Sequence, residues 1–362
     1  MSAFAQRVAR WQSRAGRKDL PWQGTRDPYA IWMSEIMLQQ TQVATVVPFY
    51  ARFMMRFPDI AALAAASLDD VMGLWSGLGY YSRARNLHRA AQRIVTEHGG
   101  RFPRTVAEIE RLPGIGRSTA AAIAGFAFGA RAAILDGNVK RLLARHFLVA
   151  GFPGDPAVER ELWALAESLL PGGDVATYIQ GLMDLGALVC TTRRPSCSRC
   201  PVRGTCAALG ANRVDELPAP RPRRKAPTRA TVMAVLRHGG DILLERRPSS
   251  GVWGGLWSLP ELASDADLAG AVARRFSLEV RRTDRLAPMR HAFTHFTLEI
   301  QPVLVDVAAP SIRAAEPGNV WLPLETAAAA ALPAPVRRLL ARLAESTVGD
   351  QAPLLQEALQ DL

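Results

Sequence analysis

The run Leu112-Pro113-Gly114-Ile115-Gly116-Arg117-Ser118-Thr119 places the tightest constraint on how this chain can fold. Two glycines framing one aliphatic residue, with proline before and Arg-Ser-Thr after, read as a very short turn between two helices. Glycine can take a positive φ and lets a second backbone come close. From Ser118 onward the alanine-rich run reads as a helix. Its opening N–H groups have no partners within it, which makes a ready site for an anion such as a DNA phosphate. Further on, Leu135-Asp136-Gly137-Asn138-Val139 sets Asp136 ahead of a second helix, over 138–147, where a carboxylate ordinarily only caps. A hairpin that grips phosphate, with an acid held nearby, points to chemistry on nucleic acid.

At 362 residues the chain is longer than one ordinary core organises, so two domains are expected. It carries 44 Lys and Arg against 33 Asp and Glu, a net charge of +11. That excess suits an anionic partner, nucleic acid first, although composition alone fits plain solubility charge equally well. No uncharged run reaches the length of a bilayer span; the longest obvious one, residues 118–130, is too short. A monomer with no membrane partner is expected, cytoplasmic and nucleoid-associated in a bacterial cell. Arg7, Arg10, Arg14, Arg17 and Lys18 stand near the start without an acid among them, which mimics a mitochondrial presequence. Trp11 and Leu20-Pro21-Trp22 look instead like part of a folded body.

Apolar residues spaced three and four apart fill roughly the first two hundred positions, interrupted by Pro48, Pro58, Pro103 and Pro113. The pattern predicts many short helices and no strand series. Over 217–227 the sequence turns proline-rich and basic, an extended and exposed linker whose arginines could touch DNA backbone. Beyond it, 230–236, a His-Gly-Gly-Asp turn and 242–246 read as a hairpin. Residues 264–276 read as a helix with Ser264 as N-cap and Asp265 and Asp267 in its first turn. A strand over 295–305 and a closing helix over 335–344 complete a small α/β domain. The expected layout is a helical region over 1–212, a linker over 213–229, the α/β domain over 230–345 and a tail over 346–362.

Cys190, Cys197, Cys200 and Cys206 are the only cysteines and sit in one short stretch, as metal ligands do and scattered disulfides do not. Four sulfurs suit zinc or an iron–sulfur cluster. Zinc sites usually present two tight knuckles, whereas this set has one close pair and two wider gaps, which favours [4Fe–4S]. Arg193, Arg194, Arg199 and Arg203 between the ligands would favour thiolates and form a cationic prong for phosphates. Residues 28–42 read as a helix in which Ile31, Glu35, Leu38 and Gln39 share a face. A desolvated Glu35 would hold its proton near neutrality. The helix alone better fits a rim glutamate bonded to an arginine, but two carboxyls in different surroundings can divide acid and anion roles, and Asp136 is the second. Gly77-Leu78-Gly79-Tyr80-Tyr81, just before Arg83 and Arg85, offers rings beside cations, suited to stacking on bases. Gly251-Val252-Trp253-Gly254-Gly255-Leu256-Trp257 resembles a loop of a Nudix-type sheet. The following segment has only the scattered acids Glu261, Asp265 and Asp267 where a Nudix hydrolase needs clustered glutamates for Mg²⁺. Binding, not hydrolysis, is expected of that domain.

Taken together, Trp32 through Val43 with Glu35, the 77–81 motif, the 112–119 hairpin, Ile134 through Val139 and the cysteine loop resemble the MutY family. These are the adenine DNA glycosylases of the helix–hairpin–helix superfamily. The resemblance runs from about residue 4 to about 344 with its motifs in order, and its first helix occupies the presequence-like start. It implies a multi-domain fold: a mainly all-α helix–hairpin–helix glycosylase domain with a [4Fe–4S] loop, followed by a C-terminal α/β Nudix-like domain. The activity it implies is hydrolysis of the N-glycosidic bond of adenine mispaired with 8-oxoguanine or guanine in double-stranded DNA, as part of base excision repair.

Residue by residue, the resemblance gives Glu35 as the acid that protonates adenine N7 and then helps activate water. Asp136 stabilises the oxocarbenium-like sugar, with Asn138 beside it. Gln180 falls at the adenine edge, and Gln40 and Tyr80 fall at wedges beside the 8-oxoguanine. Gly114, Gly116 and Ser118 form the backbone grip, and the four cysteines are the cluster ligands. Ser118 stands where the related endonuclease III enzymes carry a lysine nucleophile, so a monofunctional glycosylase is implied. Phe293-Thr294-His295 stands where the family usually has Phe-Ser-His; threonine keeps the hydroxyl but is bulkier and stiffer at χ1. The competing readings are a thymine, uracil or oxidised-pyrimidine glycosylase of the same superfamily, a non-catalytic damage-binding protein, and a nucleotide-pyrophosphate hydrolase. Ser118 and the Nudix-like appendage, the intact pair Glu35 and Asp136, and the missing metal helix count against them in turn.

Overall fold

The helix that carries Glu35 is defined at both ends by side chains. Asp27 caps it, accepting from the backbone N–H of Tyr29 (3.0 Å) and Ala30 (3.4 Å), and Pro28 occupies the first turn, where its missing N–H costs nothing. The helix ends at Leu38, not near Gln42 as its apolar spacing predicts. Arg83 causes the stop. Its guanidinium donates to the carbonyls of Ile36 (2.9 Å), Met37 (2.8 Å) and Gln39 (2.6 Å) and to Thr41 Oγ1 (3.1 Å). A cation there satisfies orphan carbonyls and sits at the negative end of the helix dipole. Arg83 is 7% exposed, so it does not accompany the aromatic pair toward a base, as the sequence led us to expect.

In this computed structural model residues 2–222, 227–248, 251–263, 267–293, 295–308 and 318–345 are described. Among them two units form: residues 2–74 with 82–222, and residues 75–81 with the described residues from 227 to 345.

The first unit is helical. Its elements are α1 (Ala3–Ala15), α2 (Pro28–Leu38), α3 (Val43–Arg56), α4 (Ile60–Ala65), α5 (Leu68–Trp75, ending inside the 75–81 segment), α6 (Ser82–His98), α7 (Val106–Glu110), α8 (Arg117–Phe128), α9 (Gly137–His146), α10 (Pro156–Ser168), α11 (Val175–Leu188) and α12 (Ala207–Gly210). No strand precedes Thr228 among the described residues. α8 buries Ala120, Ala121, Ala122, Ile123 and Ala124, small side chains that admit α2 and α11 at close range. A Cβ added at Gly186 of α11 would lie 2.6 Å from Asn138 Cβ, so this glycine lets α11 press against the start of α9. The segment after α12 departs from the exposed linker that was expected: Leu217 is buried, and its carbonyl accepts from Arg145 Nε at 2.8 Å.

The second unit is a mixed sheet. β1 (Thr228–His238) and β2 (Asp241–Arg246) form the expected hairpin, with Arg237 opposite Ile242. Then follow β3 (Trp257–Ser258), β4 (Glu261–Leu262), α13 (Leu268–Phe276), β5 (Val280–Arg285), β6 (Met289–Ala292), β7 (Thr297–Val307), β8 (Asn319–Pro323), α14 (Leu324–Ala329) and α15, residues 334–345. The strand order is β3-β2-β1-β7-β5. β1 runs parallel to β7, and the run Met233, Ala234, Val235, Leu236 is buried throughout, as befits a strand covered on both faces. β7 starts two residues later than its predicted strand. α13 is capped by Asp267, expected in the first turn, which accepts from Gly270 N at 3.0 Å; Ser264, expected as the cap, and Asp265 lie outside the described residues. The 77–81 motif belongs to this unit. Ser76 Oγ and Tyr81 OH each donate to Leu332 O over 3.4 Å, and Arg337 donates to Ser76 Oγ at 2.5 Å.

Candidate active site

A cavity of about 440 Å³ opens in the helical unit, walled by α2, α8, α11 and the segment between α1 and α2. Arg17, Trp22, Ser34, Glu35, Leu38 and Gln180 are among its lining residues. Its volume is in the range of small-molecule sites. Glu35 and Gln180 were expected there; Arg17, Trp22 and Ser34 were not.

Glu35 reaches this cavity from the middle of α2, where its neighbours Ser34 and Ile36 are buried. Burial pushes its carboxyl up from the ordinary 4.5 to about 8, and the negative charge of Asp136 adds to the shift. The group is therefore a neutral acid at pH 7, and Asp136 lies near enough to act on it.

Asp136 serves as the N-cap of α9, its Oδ1 accepting from Val139 N at 2.7 Å. Burial raises its pKa as well. Unlike Glu35, it has opposing partners that favour the anion: the N–H groups of Val139 and Asn138 and the charges of Arg141 and Lys140. Capping and placement near Glu35 are thus the same geometry, not alternatives. Asp136 and Asn138 stand outside the lining of the cavity itself.

Ser118 links the hairpin to this acid. Its hydroxyl accepts from Leu135 N at 2.9 Å, one residue before Asp136, so the oxygen is committed to backbone. Gly114 holds φ +80°, and a Cβ there would lie 2.7 Å from Asn86 Cβ, so both conformation and space require glycine. Gly116 caps α8 without a side-chain bond, leaving its first N–H groups open. Gln40 follows α2 with φ +56° and is exposed. Tyr80, in the other unit, has φ +49° and is 49% exposed. Side chains at positive φ carry strain that the surrounding fold must hold.

Asn138 Oδ1 accepts from Arg141 (2.8 Å), whose guanidinium also donates to the carbonyls of Gly186 (2.7 Å) and Cys190 (2.7 Å). The four cysteines line one small cavity with Leu142, Arg145 and Val202. Buried Arg145 donates to Thr191 O at 2.7 Å and reaches Cys190 Sγ at 3.5 Å. Burial, and after it the other cysteines, push the Cys197 thiol up; burial raises Cys200 to about 11. Such mutual repulsion is what a cationic group at the centre would relieve. Among the described residues no three Cys, His, Asp or Glu side chains converge on a point as the ligands of a single ion do. Arg193, Arg194, Arg199 and Arg203 are all exposed on this loop.

In the second unit Phe293 stacks on Phe296 (4.5 Å, 21°) and meets His291 edge-on at 4.6 Å, with Trp253 5.4 Å away. His295 is exposed, and Thr294 lies outside the described residues. Where a metal-binding glutamate helix would stand, α13 carries Arg274 and Arg275. Arg275 pairs with Glu245 and Arg247 with Glu261, so these acids are already neutralised.

Residues 33–168 match the HhH-GPD superfamily of base excision DNA repair proteins, and residues 231–342 match the NUDIX domain family. An adenine DNA glycosylase of Buchnera aphidicola (subsp. Baizongia pistaciae) is 36% identical over 94% of this chain and 96% of its own length. The adenine DNA glycosylases of Mus musculus and Homo sapiens are each 34% identical over 90% of the chain, covering 75% and 71% of theirs. Among solved structures, a thermostable thymine-DNA glycosylase superposes with a TM-score of 0.52 at 31% identity, over 57% of this chain and 95% of that one. An endonuclease III–DNA complex superposes at 0.50 and 22%, over 59% and 96%, a likeness of fold.

Proposed function

The chain belongs to the adenine DNA glycosylase family, an enzyme of base excision repair that acts on DNA, and from that premise we propose that it excises adenine from mispairs with 8-oxoguanine or guanine in duplex DNA as a monomeric, monofunctional glycosylase. One observation carries the reading: a carboxyl pushed up to about 8 inside a cavity sized for a small molecule, with a second carboxyl close by that accepts from the N–H groups opening α9.

Adenine leaves its stack at a cost of a few kcal/mol and enters the cavity. Adenine is a poor leaving group until protonated, so Glu35 gives its proton to N7 as the C1′–N9 bond lengthens. Positive charge then gathers on the sugar, and Asp136, whose anion the α9 N–H groups and Arg141 favour, stabilises it. The Glu35 carboxylate next takes a proton from the water that attacks C1′, which restores the acid and leaves an abasic site. Asn138, held by Arg141, stands beside Asp136 at the start of α9. Gly114 and Gly116 present backbone N–H groups to phosphate, Gln40 and Tyr80 wedge the duplex, and Phe293, Thr294 and His295 meet the opposite base. Ser118 supplies no amine to C1′, and its oxygen is occupied, so strand cleavage by a Schiff base has no nucleophile at that position.

Cys190, Cys197, Cys200 and Cys206 would hold a [4Fe–4S] cluster; four soft sulfurs around one cavity fit that group, which would cross-link the 190–206 loop and keep its arginines facing outward.

The test uses duplexes carrying adenine opposite 8-oxoguanine, adenine opposite guanine, thymine opposite guanine, and uracil. Products at adenine only, and only after alkali, are expected. Nicking without alkali, or excision of thymine or uracil in preference to adenine, refutes the assignment.

A further inference from the structure

Asp184 is the one acid in α11 and lies among Leu182, Met183 and Leu185 with no solvent exposure. A buried carboxylate survives only where its oxygens are satisfied. Arg17 meets that need, donating its backbone N–H to Oδ2 at 2.9 Å and its Nε to Oδ1 at 2.7 Å, with a terminal guanidinium nitrogen 2.6 Å from Oδ1. The remaining donor is Gln180 Nε2, 3.0 Å from Oδ1 and one turn earlier on α11.

We propose that the Arg17–Asp184 pair is a positioning device that fixes which end of the Gln180 amide faces the cavity, and thereby makes the site select a base with an exocyclic amine over one with a carbonyl. The inference rests on the adenine glycosylase reading and names what enforces its choice of base.

A carboxylate held by a guanidinium only accepts, so the Gln180 amide must turn its NH₂ toward Asp184. Its carbonyl oxygen is then the atom left for the cavity, which Gln180 lines. Glu35, protonated at pH 7, offers a donor in the same cavity. One donor and one acceptor match adenine, whose major-groove edge presents N7 as acceptor and N6 as donor. Guanine and hypoxanthine present a 6-carbonyl there, which would meet the Gln180 oxygen acceptor against acceptor. Without Asp184 the amide could rotate by half a turn and accommodate either base.

The experiment is single-turnover excision by the full chain from duplexes carrying adenine, purine (no 6-substituent) or hypoxanthine opposite 8-oxoguanine. The unsubstituted protein should follow the order adenine, purine, hypoxanthine, because a site built to pair a hydrogen-bonding group rejects a mismatched one strongly. Asp184→Asn, whose side chain can present either polarity to Gln180, should compress the adenine-to-hypoxanthine ratio by about tenfold or more. A merely structural role for Asp184 would slow all three bases alike and leave the ratio in place, which would overturn the proposal. If Asp184→Asn does not fold, the unsubstituted protein still decides: hypoxanthine released as fast as adenine overturns the inference. Absence of adenine release altogether would strike the proposed activity instead, so the two failures are distinguishable.

Discussion

Glu35 and Asp136 differ in their partners more than in their burial. Both are pushed upward by desolvation, yet only Asp136 also has N–H groups and cations that pull in the opposite direction, toward the anion. Glu35→Gln should therefore reduce adenine excision by about 10²–10⁴-fold while duplex binding changes little; turnover within tenfold of the parent would refute the acid assignment. The same shift sets a pH dependence. Below about 4.5 the Glu35 carboxyl is protonated folded or unfolded. As pH rises from there toward about 8, the unfolded chain ionises and the folded one does not, so stability is lost progressively across that window. Glu35→Gln should then melt higher than the parent at pH 8 and above, with the gap closing toward pH 4.5. Excision by the parent should fall above pH 8 as the acid is lost. Identical melting curves across the range would show that Glu35 is not desolvated.

At the scale of elements, α2 is placed by what grips its ends. Arg83→Met removes the donors to Ile36, Met37 and Gln39 from a buried position, leaving carbonyls unpaired. A loss of about 2–3 kcal/mol in denaturant unfolding is expected, with a fall in excision because Glu35 rides on this helix. Unchanged stability would show that water replaces the guanidinium. The cysteine loop is joined to Asn138 through Arg141, so its order bears on the site. Cys197→Ser should lower the bound iron and the melting temperature together; a variant with full iron, or parent protein that carries zinc instead, would remove the cluster from the account.

For the molecule as a whole, a net charge of +11 with exposed arginines along the 190–206 loop predicts duplex affinity that falls steeply and linearly on a log–log salt plot. A flat response would mean that this surface does not face phosphate. The helical character of the first unit, the β1–β2 hairpin, the cysteine loop and the tight turn at Gly114 could all be read from spacing and residue type, because periodicity, turn chemistry and ligand clustering are local. Glu35 and Asp136 were likewise visible as carboxyls in unusual company. What local pattern does not contain is which distant group meets which. Arg83 looked like a companion of the 77–81 rings and is a helix cap for α2; Ser118 looked like part of a phosphate grip and accepts from Leu135; Leu217 looked like exposed linker and is buried against Arg145. The pairing of Arg17 with Asp184 spans 167 positions and leaves no mark on either neighbourhood beyond one acid in an apolar helix. Sequence alone determined which chemical groups this protein brings to DNA, because those groups are residues. Only the tertiary structure decided their protonation, orientation and free lone pairs, because these depend on burial and on partners that chain folding alone brings within reach.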